Sequence, residues 1–306
     1  MKKILVILGP TSSGKSDIAI KLAKRFKTEI ISADSRQIFR RMDIGTGKVS
    51  GKWNLKRGVF LSKGIPHYML DIVSPRTDYN VAKFKGLAEK IIEDISKRGK
   101  LPIVCGGTGF WIQAIVDDVN FPEVKPDWKL REKLEKYSAE KLFAILKKLD
   151  SRRAKNIDPK NKVRLIRAIE ICKNLGKVPN LKQNRYPLFP ARYNILQIGL
   201  ELPKDKLHKN VERRVRYRFK QGMIAEVKKL RNSGLSWKKI QSFGLAYFWI
   251  PIFLQHKISR KELVKKVVQA EKNYAKRQMT WFQRDKRIKW LKNYRNIEKE
   301  TKKFIS

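Results

Sequence analysis

The 306-residue sequence predicts an α/β fold: a parallel-sheet core that opens on a phosphate-binding loop and carries an all-helical insertion. Three observations lead there. The apolar run Ile4–Leu8 is followed at once by Gly9-Pro10-Thr11-Ser12-Ser13-Gly14-Lys15-Ser16. Up to about residue 121, short apolar runs alternate with helical patterns, as in a parallel sheet with right-handed crossovers. Between about 122 and 186 strand patterns vanish, and helical, charged sequence stands between flanks that each carry two prolines.

Taken in order, Ile4–Leu8 is continuously apolar, as a strand buried on both faces requires. Helical sequence runs from Gly14 to Phe26, and "EIISA" forms a short second strand that ends at Asp34. Residues 80–98 have helical spacing with a glycine at the end. "LPIVCGG" reads as a third buried strand and "TGFWIQAIV" as the helix after it. "FPEVKPDW" breaks the alternation, and Trp128–Gly176 is helical throughout. "NRYPLFPARY" closes that segment, "YNILQIGLEL" returns to a strand pattern, and helices follow at about 204–220, 222–232, 237–249 and 259–285. The expected domains are therefore a discontinuous core, 1–121 with 187–306, and a helical insertion, 122–186.

Composition narrows the function class. Apolar residues make up 42% of the chain, enough for a sizeable core, but 72 Lys+Arg face only 28 Asp+Glu, a formal +44. The excess is +11 over residues 1–120 and +33 over 121–306. A uniformly Lys-rich surface does not double its charge density part-way along the chain; a polyanionic partner such as nucleic acid explains it. Cys105 and Cys172 stand far apart and in no metal spacing, which excludes a disulfide framework or zinc finger and suits a reducing compartment. No apolar run approaches the roughly 20 residues of a membrane span. The start "MKKILVILGP" imitates a signal peptide, but its apolar run ends in the phosphate loop, so the strand reading holds. The expectation is a cytoplasmic protein with no membrane partner, and nothing demands more than a monomer.

Residues 9–16 fit G-x-x-x-x-G-K-[ST] in the context it needs, after a buried strand and opening a helix. The glycines let the chain wrap so that backbone N–H groups converge, and the helix N-terminus adds its positive end. Lys15 supplies a point charge, and the Ser16 hydroxyl can ligate Mg2+. A nucleotide triphosphatase or kinase normally also ends a later strand in an acidic residue that holds Mg2+. Here the best later strand ends in Gly106-Gly107-Thr108-Gly109, whereas the "EIISA" strand ends in Asp34. If that strand neighbours the first, Asp34 stands at the carboxyl-end crevice beside the phosphates. Three roles suit it there: helix cap, metal ligand or general base.

"GPTSSGKS" (9–16), "ISADSRQIF" (31–39), "MDIGTGK" (42–48), "PHYMLDIVSP" (66–75), "VCGGTGFW" (104–111) and "YAKRQMTWFQRD" (274–285) together resemble the tRNA dimethylallyltransferase family, also called tRNA isopentenyltransferases. The likeness runs from residue 4 to about residue 291. It implies a P-loop NTPase-like core with an inserted helical domain that grips the anticodon stem-loop. The implied reaction transfers a dimethylallyl group from dimethylallyl diphosphate to N6 of adenosine 37 in tRNA and releases diphosphate, with Mg2+ as cofactor. Residue chemistry agrees. Breaking an allylic C–O bond leaves diphosphate as an anion that the loop, Lys15 and Mg2+ on Ser16 can stabilise.

The resemblance carries roles onto single residues. Asp34 takes the proton of the attacking amine, and Thr11 lies near the reacting groups beside Lys15. Gly9, Pro10, Thr11, Ser12, Ser13, Gly14, Lys15 and Ser16 hold the diphosphate. Asp34 and the Ser35, Arg36 and Gln37 that follow it meet the target nucleotide, and Thr108 touches the tRNA. In the insertion, Arg131 and the span Val163, Arg164, Leu165, Ile166 and Arg167 match tRNA contacts. Arg164 and Arg167, three apart, share a helix face. Arg277, Thr280, Trp281 and Arg284 form a helical stripe, from which Arg277 can reach diphosphate and Arg284 RNA phosphate. The run Arg213, Arg214, Arg216 and Arg218 is read as phosphate-contacting, while His67 and Trp281 are read as structural.

The sequence also departs from the family. Phe39 and Trp111 replace tyrosines, and "QSFGLAY" (241–247) lacks a basic residue, which weakens a tRNA contact at Phe243 and Gly244. Three rival readings share the loop. A prenyltransferase acting on free adenine nucleotides needs neither the insertion nor the charge beyond residue 120. A P-loop kinase acting on RNA or a small nucleotide needs Asp34 as base for a hydroxyl. A non-catalytic RNA-binding module leaves Asp34 unexplained.

Overall fold

In the computed structural model, which describes residues 1–56, 58–179 and 192–306, the chain divides into two compact units. The first comprises Met1–Val116 with Pro190–Ser306, and the second Asp117–Phe189. The sequence-derived junction at 186/187 lies outside the described residues.

The first unit begins with β1 (Lys2–Leu8), α1 (Lys15–Arg25) and β2 (Ile30–Ala33). Three short strands follow, β3 (Lys52–Asn54), β4 (Val59–Ser62) and β5 (Ile65–Tyr68), then α2 (Val81–Lys97), β6 (Ile103–Gly106) and α3 (Gly109–Val116). The second unit contributes α4 (Trp128–Glu135), α5 (Ala139–Leu149), α6 (Ser151–Ala154) and α7 (Lys162–Leu175). The chain then returns to the first unit with β7 (Tyr193–Leu200), α8 (Lys204–Lys220), α9 (Met223–Asn232), α10 (Trp237–Ser242), α11 (Ala246–Leu254), α12 (Arg260–Phe282), β8 (Lys289–Leu291) and α13 (Tyr294–Ile305).

One sheet of order β3-β4-β5-β2-β6-β1-β7-β8 organises the first unit. Its pairs are parallel from β5 to β8, and only the β3-β4-β5 edge is antiparallel. Because successive side chains of a strand point to opposite faces, β1 feeds two cores. Ile4, Val6 and Leu8 join α2, α3 and the helices after β7, while Leu5 and Ile7 join α1 and Ile297 of α13. Burying a side chain of this size is worth about 1.5–3 kcal/mol, so this strand anchors both layers. Side-chain caps set helix starts: Asn80 accepts from the Lys83 N–H at 3.0 Å, and Ser259 and Glu262 form a reciprocal capping box on α12.

Three expectations are corrected. The strand ending at Asp34 does not neighbour β1, since β6 lies between them. The single helix expected at 237–249 is two, α10 and α11, because Gly244 at φ 74° and Leu245 at φ 51° reverse the chain between them. The meander β3–β5, the strand β8 and the helix α13 are additional to the expected elements.

The second unit packs α4, α5 and α7 around its own apolar centre, with Leu142, Leu146, Leu165 and Ile169 fully buried. Asp127, Ser138 and Asn161 cap the starts of α4, α5 and α7 through their side chains.

Candidate active site

The loop between β1 and α1 takes the backbone path that its small residues permit. Gly9, Ser12 and Gly14 have φ of 151°, 63° and 90°, values that favour glycine and strain other residues. The Lys15 ammonium folds back over the loop and donates to the Pro10 carbonyl at 3.0 Å. Burial holds Lys15 below the ordinary ammonium pKa; nearby Arg214 acts in the same sense, while Asp34 and Glu271 oppose it. The Ser13 hydroxyl is buried without a hydrogen-bond partner, an unusual state that a bound anion relieves. Ser16 lies in the first turn of α1, partly exposed.

Asp34 caps the turn that follows β2. Its Oδ1 accepts the Arg36 N–H at 2.9 Å and the Gln37 N–H at 3.4 Å, and its Oδ2 takes no hydrogen bond among the described residues. Between Asp34 and the phosphate loop lies the end of β6, where Gly106 and Gly107 carry no side chains. A Cβ on Gly106 would strike the Ala33 carbonyl, and one on Gly107 would strike the Gln278 amide. Thr108 then ties the two strand ends together. Its N–H donates to Ala33 O at 3.2 Å, and its hydroxyl oxygen accepts the Ser35 N–H at 3.0 Å. Burial pushes the pKa of the nearby Tyr274 phenol up, and the Asp34 carboxylate adds to that. Cys105, beneath the loop, is pushed up to about 12 by burial, so it stays a neutral thiol.

Two helices close over this crevice. On α8, Arg214 donates to Thr11 Oγ1 at 3.3 Å and to Gly47 O at 2.7 Å. One turn on, Arg218 donates to Gly45 O and to the buried Glu271 carboxylate, both at 2.7 Å. Arg213 and Arg216 point outward, Arg216 pairing with Glu212 at 2.8 Å. The arginine run therefore splits by helical phase. On α12, Gln278 bridges two loops: its Oε1 accepts the Thr11 N–H at 2.8 Å and its Nε2 donates to Gly107 O at 2.7 Å. The inward stripe of α12 is Glu271, Ala275, Gln278 and Phe282. Arg277 and Arg284 fall off that stripe and are exposed, Arg277 lying 5.8 Å from the Tyr274 ring centre. Trp281 lies against Gly109 and edge-on to Phe110.

Other sequence-derived candidates are distributed as follows. Arg36 is held below its ordinary pKa by burial, with Asp34 opposing. Gln37 turns its amide toward the carbonyls of Thr46 and Gly47, each at 3.4 Å. His67 is buried and faces the Ile65 carbonyl at 2.8 Å, as a structural histidine does. Phe243 is buried, its ring 5.1 Å from that of Phe39, so its side chain packs the core.

Within the second unit, Arg131 and Arg167 converge on Glu170, which is fully buried. Arg131 makes a two-pronged pair at 2.8 Å on each oxygen, Arg167 adds a further contact, and the Asp127 N–H donates to the same carboxylate at 2.7 Å. Leu165 and Ile166 pack inward, while Val163 and Arg164 are exposed. Removing Glu170 strands four buried or half-buried donors. Glu170→Ala is expected to destabilise this unit by about 1–3 kcal/mol, read as an earlier transition in thermal unfolding. An unchanged transition would contradict the anchoring role.

The sequence reading gave no role to Gln278, Tyr274, Glu271 or Glu226. A polar stripe Glu271-Tyr274-Gln278 at helical spacing was the available signal for three of them.

Comparison with known proteins adds the following. The family model for IPP transferase matches residues 37–285, and that for isopentenyl transferase matches residues 2–64. The chain is 39% identical over 295 residues to a tRNA dimethylallyltransferase of Acetivibrio thermocellus, covering 95% of this chain and 92% of the relative. It superposes on a tRNA isopentenylpyrophosphate transferase from Bacillus halodurans with a TM-score of 0.70 and 32% identity, over 100% of this chain and 96% of the other. A eukaryotic dimethylallyltransferase solved acting on tRNA matches with a TM-score of 0.74 and 26% identity, over 92% of this chain and 70% of the other.

Proposed function

Because the chain belongs to the IPP transferase family, which includes the tRNA dimethylallyltransferases, we propose that it transfers a dimethylallyl group from dimethylallyl diphosphate to N6 of adenosine 37 in tRNA. The observation that carries this reading is the pairing of a phosphate loop with a single free carboxylate oxygen. Lys15, Arg214 and an unpartnered Ser13 hydroxyl gather where an anion leaves, and Asp34 Oδ2 stands free to take a proton.

The roles follow from the chemistry. The bond from the allylic carbon to the diphosphate oxygen breaks, and both electrons go to the oxygen. The adenine amine bonds that carbon and gives its proton to Asp34. The leaving diphosphate gains charge as the bond lengthens, so donors fixed in advance in a half-buried site act mainly on the transition state. Thr11 stands between these groups, its N–H held by Gln278 and its hydroxyl by Arg214. Thr108 and Ser35 keep the turn bearing Asp34 against β6.

Among the described residues no three His, Cys, Asp or Glu side chains cluster as a metal cage. A divalent cation would be held here by the Ser16 hydroxyl, the sparse protein coordination that suits Mg2+. When bound it neutralises charge on the departing diphosphate. The second unit serves to grip the anticodon stem-loop, and no described helix is long and apolar enough to cross a membrane.

Two measurements test this reading. With labelled dimethylallyl diphosphate, label is expected in tRNA and not in AMP; label in AMP alone would favour the free-nucleotide reading. If the +33 charge beyond residue 120 tracks RNA phosphates, the logarithm of tRNA affinity falls linearly with the logarithm of salt, by about 0.7–0.9 per phosphate contacted. A flat response would mean that the charge is background.

A further inference from the structure

We propose that Glu226 is a positioning residue for the donor site: through the 43–47 loop it fixes where the Arg214 guanidinium stands over the phosphate loop. The inference rests on the diphosphate site proposed above and adds a residue that touches no substrate.

Glu226, on α9, is a buried carboxylate with both oxygens fully engaged. Its Oε2 accepts the N–H groups of Asp43 at 2.8 Å and Ile44 at 2.7 Å. Its Oε1 accepts the Gly45 N–H at 2.9 Å and the Tyr247 hydroxyl at 2.8 Å. Three consecutive backbone N–H groups converging on one anion form a nest, here filled by a side chain of the same protein. Such charge-assisted bonds are about twice as strong as neutral ones.

The carbonyl side of the same loop is gripped from α8. Gly45 O accepts from Arg218, and Gly47 O accepts from Arg214. The loop also lies flat on Tyr247, whose ring would stand 2.5 Å from any Cβ added at Gly45. A connected path therefore runs from Glu226 through the 43–45 amides and the Gly47 carbonyl to Arg214, and from Arg214 to Thr11 Oγ1. Arg214 needs such a guide. It is a half-buried cation near Lys15 and Arg218, and burial together with Arg218 disfavours its charge. Gly47 O fixes the direction of its fork; the Gln37 amide approaches the same oxygen at 3.4 Å, and Glu226 adds the charged hold on the amide side of the loop.

A purely structural clamp would account for the same four bonds, so the test must separate the two. Glu226→Gln places an amide N–H against a backbone N–H and breaks the nest while keeping the shape. The readouts are the donor KM and the inhibition constant of inorganic diphosphate, in wild type and in Arg214→Ala. Glu226→Gln is expected to raise both about tenfold with tRNA KM within twofold of wild type; in the Arg214→Ala background it is expected to change them less than about twofold, as coupled residues do. Equal effects in the two backgrounds, or unchanged diphosphate inhibition, would overturn the proposal. Tyr247→Phe removes one bond to the same oxygen and is expected to act in the same direction more weakly. It takes the place of Glu226→Gln in the cycle, with the same two outcomes, if that variant does not fold. A wild-type protein that transfers no prenyl group and is not inhibited by diphosphate would sink the site reading itself. An active wild type with an unaffected Glu226→Gln would sink only the positioning role.

Discussion

Asp34→Asn is expected to lower the single-turnover rate of prenyl transfer by about 10²–10⁴, the usual range for removing a general base, equivalent to roughly 3–5 kcal/mol in barrier. The substitution keeps the shape of the side chain and its capping oxygen. Asn Oδ1 can accept the Arg36 and Gln37 N–H groups as Asp34 Oδ1 does, and Asn caps as well as Asp. The turn should therefore persist and the fold should not change. What disappears is the free Oδ2, replaced by an NH₂ that cannot take the amine proton. Donor and tRNA affinities should change little, because the ground state does not require the proton to move. If Asp34 instead acts chiefly as a metal ligand, raising Mg2+ should restore the rate. If it only caps, Asn should be nearly silent. A rate within about threefold of wild type at both low and high Mg2+, under half of a tenfold step in kcal/mol, would remove Asp34 from the chemistry.

Lys15→Ala is expected to reduce kcat/KM for the donor by about 10²–10³, the cost of removing one preorganised donor at a site of developing charge. Part of the loss should appear in donor KM and part in kcat, since the diphosphate is anionic when bound and more so when leaving. The Lys15 ammonium is disfavoured by burial and by Arg214 before any anion arrives. A bound diphosphate offsets that cost, and the lysine in turn stabilises the diphosphate. Affinity for tRNA should remain near wild type. Full activity in the variant, measured with saturating tRNA and varied donor, would take the loop out of the mechanism.

What could be read from the sequence was what is locally encoded. The phosphate loop depends on eight consecutive residues, and Asp34 and Thr108 follow short apolar strands whose ends are marked by glycine or acid. The helices of the second unit announce themselves through helical, charged sequence without strand patterns, while their caps at Ser138 and Asn161 emerge only in the structure. What escaped is set by non-local contacts. β6 comes between β1 and β2 because of sheet order, which no strand's own sequence states. The strands β3–β5 have only three or four residues each, too few for alternation to stand out. Within Arg213–Arg218 composition could not say which side chains turn inward; the phase of α8 chose Arg214 and Arg218. Gln278 and Glu226 look ordinary in sequence and gain their meaning from loops 171 and 181–183 residues away.

The central claim is that the phosphate loop holds a leaving diphosphate and that the acceptor is an adenine in tRNA. Mass spectrometry of tRNA nucleosides, after parallel incubation with dimethylallyl diphosphate or with ATP in Mg2+, tests it most directly. The account predicts a single adenosine next to the anticodon that gains one C5H8 unit with dimethylallyl diphosphate, and no change with ATP. A phosphate added from ATP, or an unmodified tRNA beside a prenylated free nucleotide, would contradict it.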